Sequence, residues 1–134
     1  MDNSEMLRPP DRYADNLFLG VNEAVDSRNL SDLEKKHIPV IEVPETVKKG
    51  EYFEVRVKIG KLLAHPNEYK HFIQFVELYA DDTYLARSDL TAIRTCPQVS
   101  FWIALQHPTK ELRAYEHCNL HGKWVGRTPI VVTD

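Results

Sequence analysis

The sequence predicts an all-β domain: a seven-stranded, immunoglobulin-like antiparallel β-sandwich, preceded by an N-terminal arm that contains a short helix. Three observations lead there. Short runs rich in Val, Ile, Tyr and Phe recur from residue 37 onward, separated by Gly, Pro, Asn or Asp. One of them, Phe53, Val55, Val57 and Ile59, alternates with Glu54, Arg56 and Lys58, which is the period of a half-buried strand. A length of 134 residues, 43% of them hydrophobic, suits one domain around one core.

Residues 1–30 mix charged and amide side chains around one apolar patch, Leu17-Phe18-Leu19, and show no sustained period. They read as an arm, and residues 31–134 as the domain. Ser31 followed three residues later by Glu34 has the form of a capping box, which predicts a helical turn over 31–36. Strands are expected at 37–44, 53–59, 71–80, 83–92, 99–106, 112–118 and 124–133, broken at Lys49-Gly50, Pro66-Asn67, Asp81-Asp82, Pro97 and Pro108. Seven short strands with frequent turns in about 100 residues match two antiparallel sheets packed face to face.

Charge and hydropathy exclude several functions. With 17 basic and 20 acidic residues the net charge is −3 and no long single-sign run occurs, so the basic stripe of a nucleic-acid binder is missing. The longest apolar run, Phe101 to Leu105, is far short of the ~20 residues that span a bilayer. The opening Met1-Asp2-Asn3-Ser4-Glu5 has neither the basic end nor the apolar stretch of a secretion signal, so a cytoplasmic location is expected. Two cysteines cannot build a disulfide framework.

Five candidate metal ligands stand at or beside strand ends: His37, His65, His71, Cys118 and His121. His65-Pro66-Asn67 opens a loop that His71 closes, a length able to turn two imidazoles towards one ion. Cys118-Asn119-Leu120-His121-Gly122 offers a thiolate and an imidazole across a tight turn, where Gly122 is free to adopt positive φ. Amides inside that turn can point at the sulfur and tune its electron donation. Each motif alone is weak; their combination with His37 is stronger. Five ligands exceed the four of a structural zinc site and point to iron with one octahedral position open to a small molecule.

Lys36-His37-Ile38-Pro39-Val40, then His65-Pro66-Asn67 with His71, then Cys118-Asn119-Leu120-His121-Gly122 make the chain resemble superoxide reductases of the neelaredoxin type, which match the catalytic domain of desulfoferrodoxin. The likeness runs from about Lys36 to Trp124. No cysteine precedes Cys96, so the four-cysteine rubredoxin-like module of desulfoferrodoxin has no counterpart, and one mononuclear iron per chain is implied. The resemblance also implies His37, His65, His71 and His121 as equatorial ligands, with Cys118 axial opposite the open face. It implies one-electron reduction of superoxide to hydrogen peroxide, a rubredoxin-like electron donor and a homotetramer. Cys118 would set reactivity by pushing electron density through the iron. Lys36, matching the family lysine beside the first histidine, would attract the substrate anion and hold a proton-delivering water.

One departure stands out. The family carries Glu-Lys-His in succession, the glutamate closing the sixth position of ferric iron, whereas Lys35 and Lys36 precede His37 here and Glu34 is displaced by one. Helix capping is the expected role of Glu34, leaving the ferric position open or water-bound. The competing readings are superoxide dismutase activity at the same iron and a non-catalytic metal-binding sandwich module. His107 and His117 are expected to lie outside the site. Cys96 is expected as a buried apolar thiol, and Phe101, Trp102, Tyr115 and Trp124 as core or interface aromatics.

Overall fold

The structure, a computed structural model, describes residues 17–134; positions 1–16 of the expected arm lie outside the described residues. The sequence forms helix α1 (Asp32–His37) and then strands β1 (Val40–Glu42), β2 (Thr46–Lys48), β3 (Phe53–Lys58), β4 (Ile73–Ala80), β5 (Thr83–Asp89), β6 (Gln98–Ile103), β7 (Glu111–Cys118), β8 (Gly122–Pro129) and β9 (Val131–Thr133). Strands β1-β3-β6 make one antiparallel sheet and β5-β4-β7-β8 the other, while β2 and β9 pair in parallel beside them. No helix among the described residues is long and apolar enough to cross a membrane.

Alternation builds the core. Val55 and Val57 of β3 are fully buried, as are Val76 and Leu78 of β4 and Leu112 and Ala114 of β7. Each of these Val and Leu side chains contributes about 1.5–3 kcal/mol by leaving water. The same inward phase of β7 continues through Glu116 to Cys118, so the strand's last residue is delivered into the interior at the sandwich end.

The strand boundaries differ from expectation in three places. His37 closes α1 instead of opening a strand, because the capping box starts the helix at Ser31 and Pro39 stops it from continuing past Ile38. The expected strand 124–133 divides at the buried Ile130: β8 ends at Pro129, which lacks an N–H, and β9 leaves to pair with the unexpected β2. Among the described residues, nine strands therefore stand where seven were expected.

Residues 17–31 lie along the edge of β8. Asn22 N–H donates to the Lys123 carbonyl at 2.8 Å, and Val125 N–H donates to the Asn22 carbonyl at 3.0 Å. Gly126 brings β8 against the α1–β1 link so closely that an added Cβ would sit 1.9 Å from the Pro39 carbonyl oxygen.

Candidate metal centre

Three chain segments converge at one end of the sandwich. Helix α1 supplies His37, which is buried with Glu34 on one helical face. The His37 Nδ1 donates to the Leu33 carbonyl at 2.7 Å, which turns Nε2 inward. The loop between β3 and β4 supplies His65, whose Nδ1 donates to the Pro66 carbonyl at 2.6 Å, and His71, whose backbone is held by reciprocal hydrogen bonds to Glu68. The β7–β8 turn supplies Cys118 and His121. Gly122 closes that turn at φ 80°, as expected. Asn119 ties the turn to the His71 segment: its side chain accepts from Phe72 N–H at 2.9 Å and donates to the Lys70 carbonyl at 2.9 Å.

The four imidazoles form a closed ring. Centroids are 4.8 Å apart for His37–His65, 4.7 Å for His65–His71, 4.9 Å for His71–His121 and 4.9 Å for His121–His37, every pair edge to face. The Nε2 atoms of His37, His65 and His71 are buried without a hydrogen-bond partner among the described residues. Buried nitrogens left this way are costly unless something accepts their lone pairs. Candidate ligand atoms of His37, His71, Cys118 and His121 lie within 4.8 Å of one another. His65 lies outside that tightest group and joins through its ring contacts and its unpartnered Nε2. The Cys118 sulfur is 3.7 Å from His121 Nδ1, so His121 faces the cluster with its other nitrogen type. Nitrogen and sulfur donors of this kind suit a transition-metal ion.

Burial keeps the imidazoles neutral. It lowers His37 to about 3, helped by the neighbouring rings, lowers His65 to about 4, and also depresses His71 and His121. Neutral imidazole is the ligating form. Burial pushes the Cys118 thiol up to about 11, opposed by hydrogen bonds from the Leu120 and His121 amides. A metal cation overcomes that penalty, since a coordinating thiol is deprotonated outright.

Glu116, two residues before Cys118 on the same inner face, is fully buried, and neither of its oxygens has a hydrogen-bond partner among the described residues. Burial raises its pKa well above the usual range. Its position was readable from strand alternation, but the uncompensated burial was not.

These shifts fix a pH dependence for the metal-free protein. The depressed His37 and His65 make the unfolded chain bind protons first, so their stability contribution is present above about 6.5 and lost as pH falls towards about 4 for His65 and about 3 for His37. The slope is about 1.4 kcal/mol per pH unit for each histidine. Glu116 acts with opposite sign, its contribution being present at low pH and lost as pH rises. Denaturant unfolding of the metal-free protein across this range should show falling stability on acidification, steeper in Glu116→Gln; a flat profile in both proteins refutes the assignment.

Glu34 is the helix cap expected from sequence. Its carboxylate accepts from Ser31 N–H at 2.8 Å and from Val25 N–H at 2.9 Å, and it is fully buried. Lys36 is half-buried and acts electrostatically on His65, His71 and His121. His117 points to the outer face as expected, with Nδ1 2.7 Å from Gln74 Oε1 and its ring on Phe75. Cys96 is exposed, contrary to expectation, because it falls in the turn before β6 and not on an inward strand position. Phe101 is buried, whereas Trp102, one residue on, faces outward and is 67% exposed. Trp124 is buried, and it also stacks on His37, a contact that sequence reasoning missed.

The desulfoferrodoxin family model matches residues 29–127, which include all five candidate ligands. The chain belongs to the desulfoferrodoxin family. It is 42% identical over 112 residues to a relative in Methanocaldococcus jannaschii, covering 80% of this chain and 90% of that protein. The superoxide reductase of Pyrococcus furiosus is 31% identical over 108 residues, 67% of this chain and 84% of its own. Among solved structures, the superoxide reductase (neelaredoxin) of Ignicoccus hospitalis superposes with a TM-score of 0.73 at 32% identity, covering 84% of this chain and 95% of that one. The β-sandwich is thus that of desulfoferrodoxin relatives.

Proposed function

We propose that this chain is a superoxide reductase holding one mononuclear iron. The observation that carries the reading is the closed ring of four neutral imidazoles beside a buried thiol. His37, His65 and His71 would bind through Nε2, His121 through Nδ1 and Cys118 through Sγ. Those five donors would hold the iron, and the bound ion would supply one-electron exchange between its ferrous and ferric states. Superoxide takes up one electron and two protons and leaves as hydrogen peroxide.

The chain's own residues shape that step. The Lys36 ammonium attracts the anion and holds a water from which protons are delivered. The Cys118 thiolate donates electron density, moderated by the Leu120 and His121 amides that face it. The Glu34 carboxylate serves the helix start, accepting from the backbone amides of Ser31 and Val25. A rubredoxin-like electron donor, a homotetramer, a cytoplasmic location and a catalytic unit beginning near residue 31 complete the proposal, supported by the family membership.

Stoichiometry tests it. Reduced protein mixed with superoxide is expected to give hydrogen peroxide without dioxygen, and to turn over only while an outside reductant is supplied. Sustained donor-free turnover with dioxygen release would instead identify a dismutase, and no reaction with superoxide even after iron loading would identify a binding module.

A further inference from the structure

We propose that Trp124 is the positioning residue that orients His37 and His121 for metal binding, and that arm residue Asn22 locks Trp124 in place. The proposal rests on the ligand set assigned above. Trp124 is fully buried. Its indole stacks on the His37 ring at 5.1 Å between centroids and 24° between planes, and its Nε1–H donates to the His121 carbonyl at 2.9 Å. One side chain therefore touches two proposed ligands that come from different segments, α1 and the β7–β8 turn.

The contacts matter because a ligand's outer partners set its orientation. The His37 ring is held by the Leu33 carbonyl at one edge and by the indole on its face, so it cannot swing about its own bond without losing both. His121 differs: its Nδ1 faces the sulfur, and the hydrogen bond from Trp124 holds its backbone instead. A buried indole N–H needs an acceptor, and the His121 carbonyl provides it.

Asn22 acts from outside. Its backbone hydrogen bonds to Lys123 and Val125 flank Trp124, and its side-chain amide donates to Leu17 and Lys123 carbonyls at 2.8 and 3.0 Å. The arm thus adds an isolated parallel bridge at the point on β8 where the indole is rooted, which gives Asn22 a part in the metal centre without being a ligand.

The test compares iron-loaded Trp124→Phe, Trp124→Leu and Leu112→Ala by iron release to a chelator and by the visible band of the oxidised protein. Trp124→Leu, which removes stack and hydrogen bond, is expected to release iron about 10–100-fold faster and to shift the band. Trp124→Phe keeps a ring against His37 and is expected to release iron about 3–10-fold faster, with a band nearer the parent's. Leu112→Ala, a core truncation on β7, is expected to lower the melting temperature while leaving release and band unchanged. Parent-like release and band in Trp124→Leu overturn the proposal, as does Leu112→Ala reproducing both changes. Should Trp124→Leu fail to fold, parent-like release in Trp124→Phe overturns it. A parent protein that shows no band after iron loading refutes the ligand set itself, and this proposal with it.

Discussion

Serine in place of Cys118 is expected to abolish the visible band of oxidised, iron-loaded protein and to weaken iron binding by more than about 100-fold, beyond the 10–100-fold usual for an outer partner. The sulfur is fully buried at the inner end of β7, and its thiol already needs a cation to ionise. A serine hydroxyl ionises far less readily, so the same cation cannot convert it into an anionic donor. The band requires a thiolate beside ferric iron, and a hydroxyl cannot supply it. The fold is expected to survive, since the substitution exchanges one small buried group for another at a cost of about 1–3 kcal/mol. Absorption spectroscopy with metal analysis checks both points, and a retained band would remove Cys118 from the ligand set.

The second large effect is expected from Gly126→Ala. Its Cβ would lie 1.9 Å from the Pro39 carbonyl oxygen and 2.9 Å from the Pro39 carbonyl carbon, and both are backbone atoms that no rotamer change can move. The α1–β1 link has to shift, and a loss of about 3 kcal/mol or more follows. Pro39 stands two residues after His37, so the displacement also reaches the imidazole ring, and faster iron release is expected with the lower melting temperature. Gly20→Ala is the contrast: at φ 68° it meets nothing within 4 Å, so only backbone strain of about 1–2 kcal/mol applies. Equal melting temperatures for the two variants would contradict the steric account.

Much of the molecule was legible before its shape was. Alternation in 53–59 gave the buried face of β3, and the capping box located α1 and the role of Glu34. His37 and Cys118 close elements while His65, His71 and His121 lie in the loop and turn beside them, where an imidazole or thiol can reach a shared point without disrupting a ladder. The illegible parts depend on contacts between distant segments. The parallel pairing of β9 with β2 joins segments far apart in the chain, a property of the assembled sandwich and not of residues 131–133 alone. Cys96 was assigned by residue type, yet a turn position overrode the preference. Trp124 was correctly read as apolar and buried, but alternation gives no information on which ring an indole will meet.

The helix end, the long loop and the hairpin turn each bring donors that the others lack. An ion bound among them would work as a rivet as well as a reactive centre, adding to the hydrogen bonds by which Asn119 already ties the turn to the loop. Heat resistance is then expected to rise with how fully the population is loaded, so iron starvation would lower the margin of stability along with the activity.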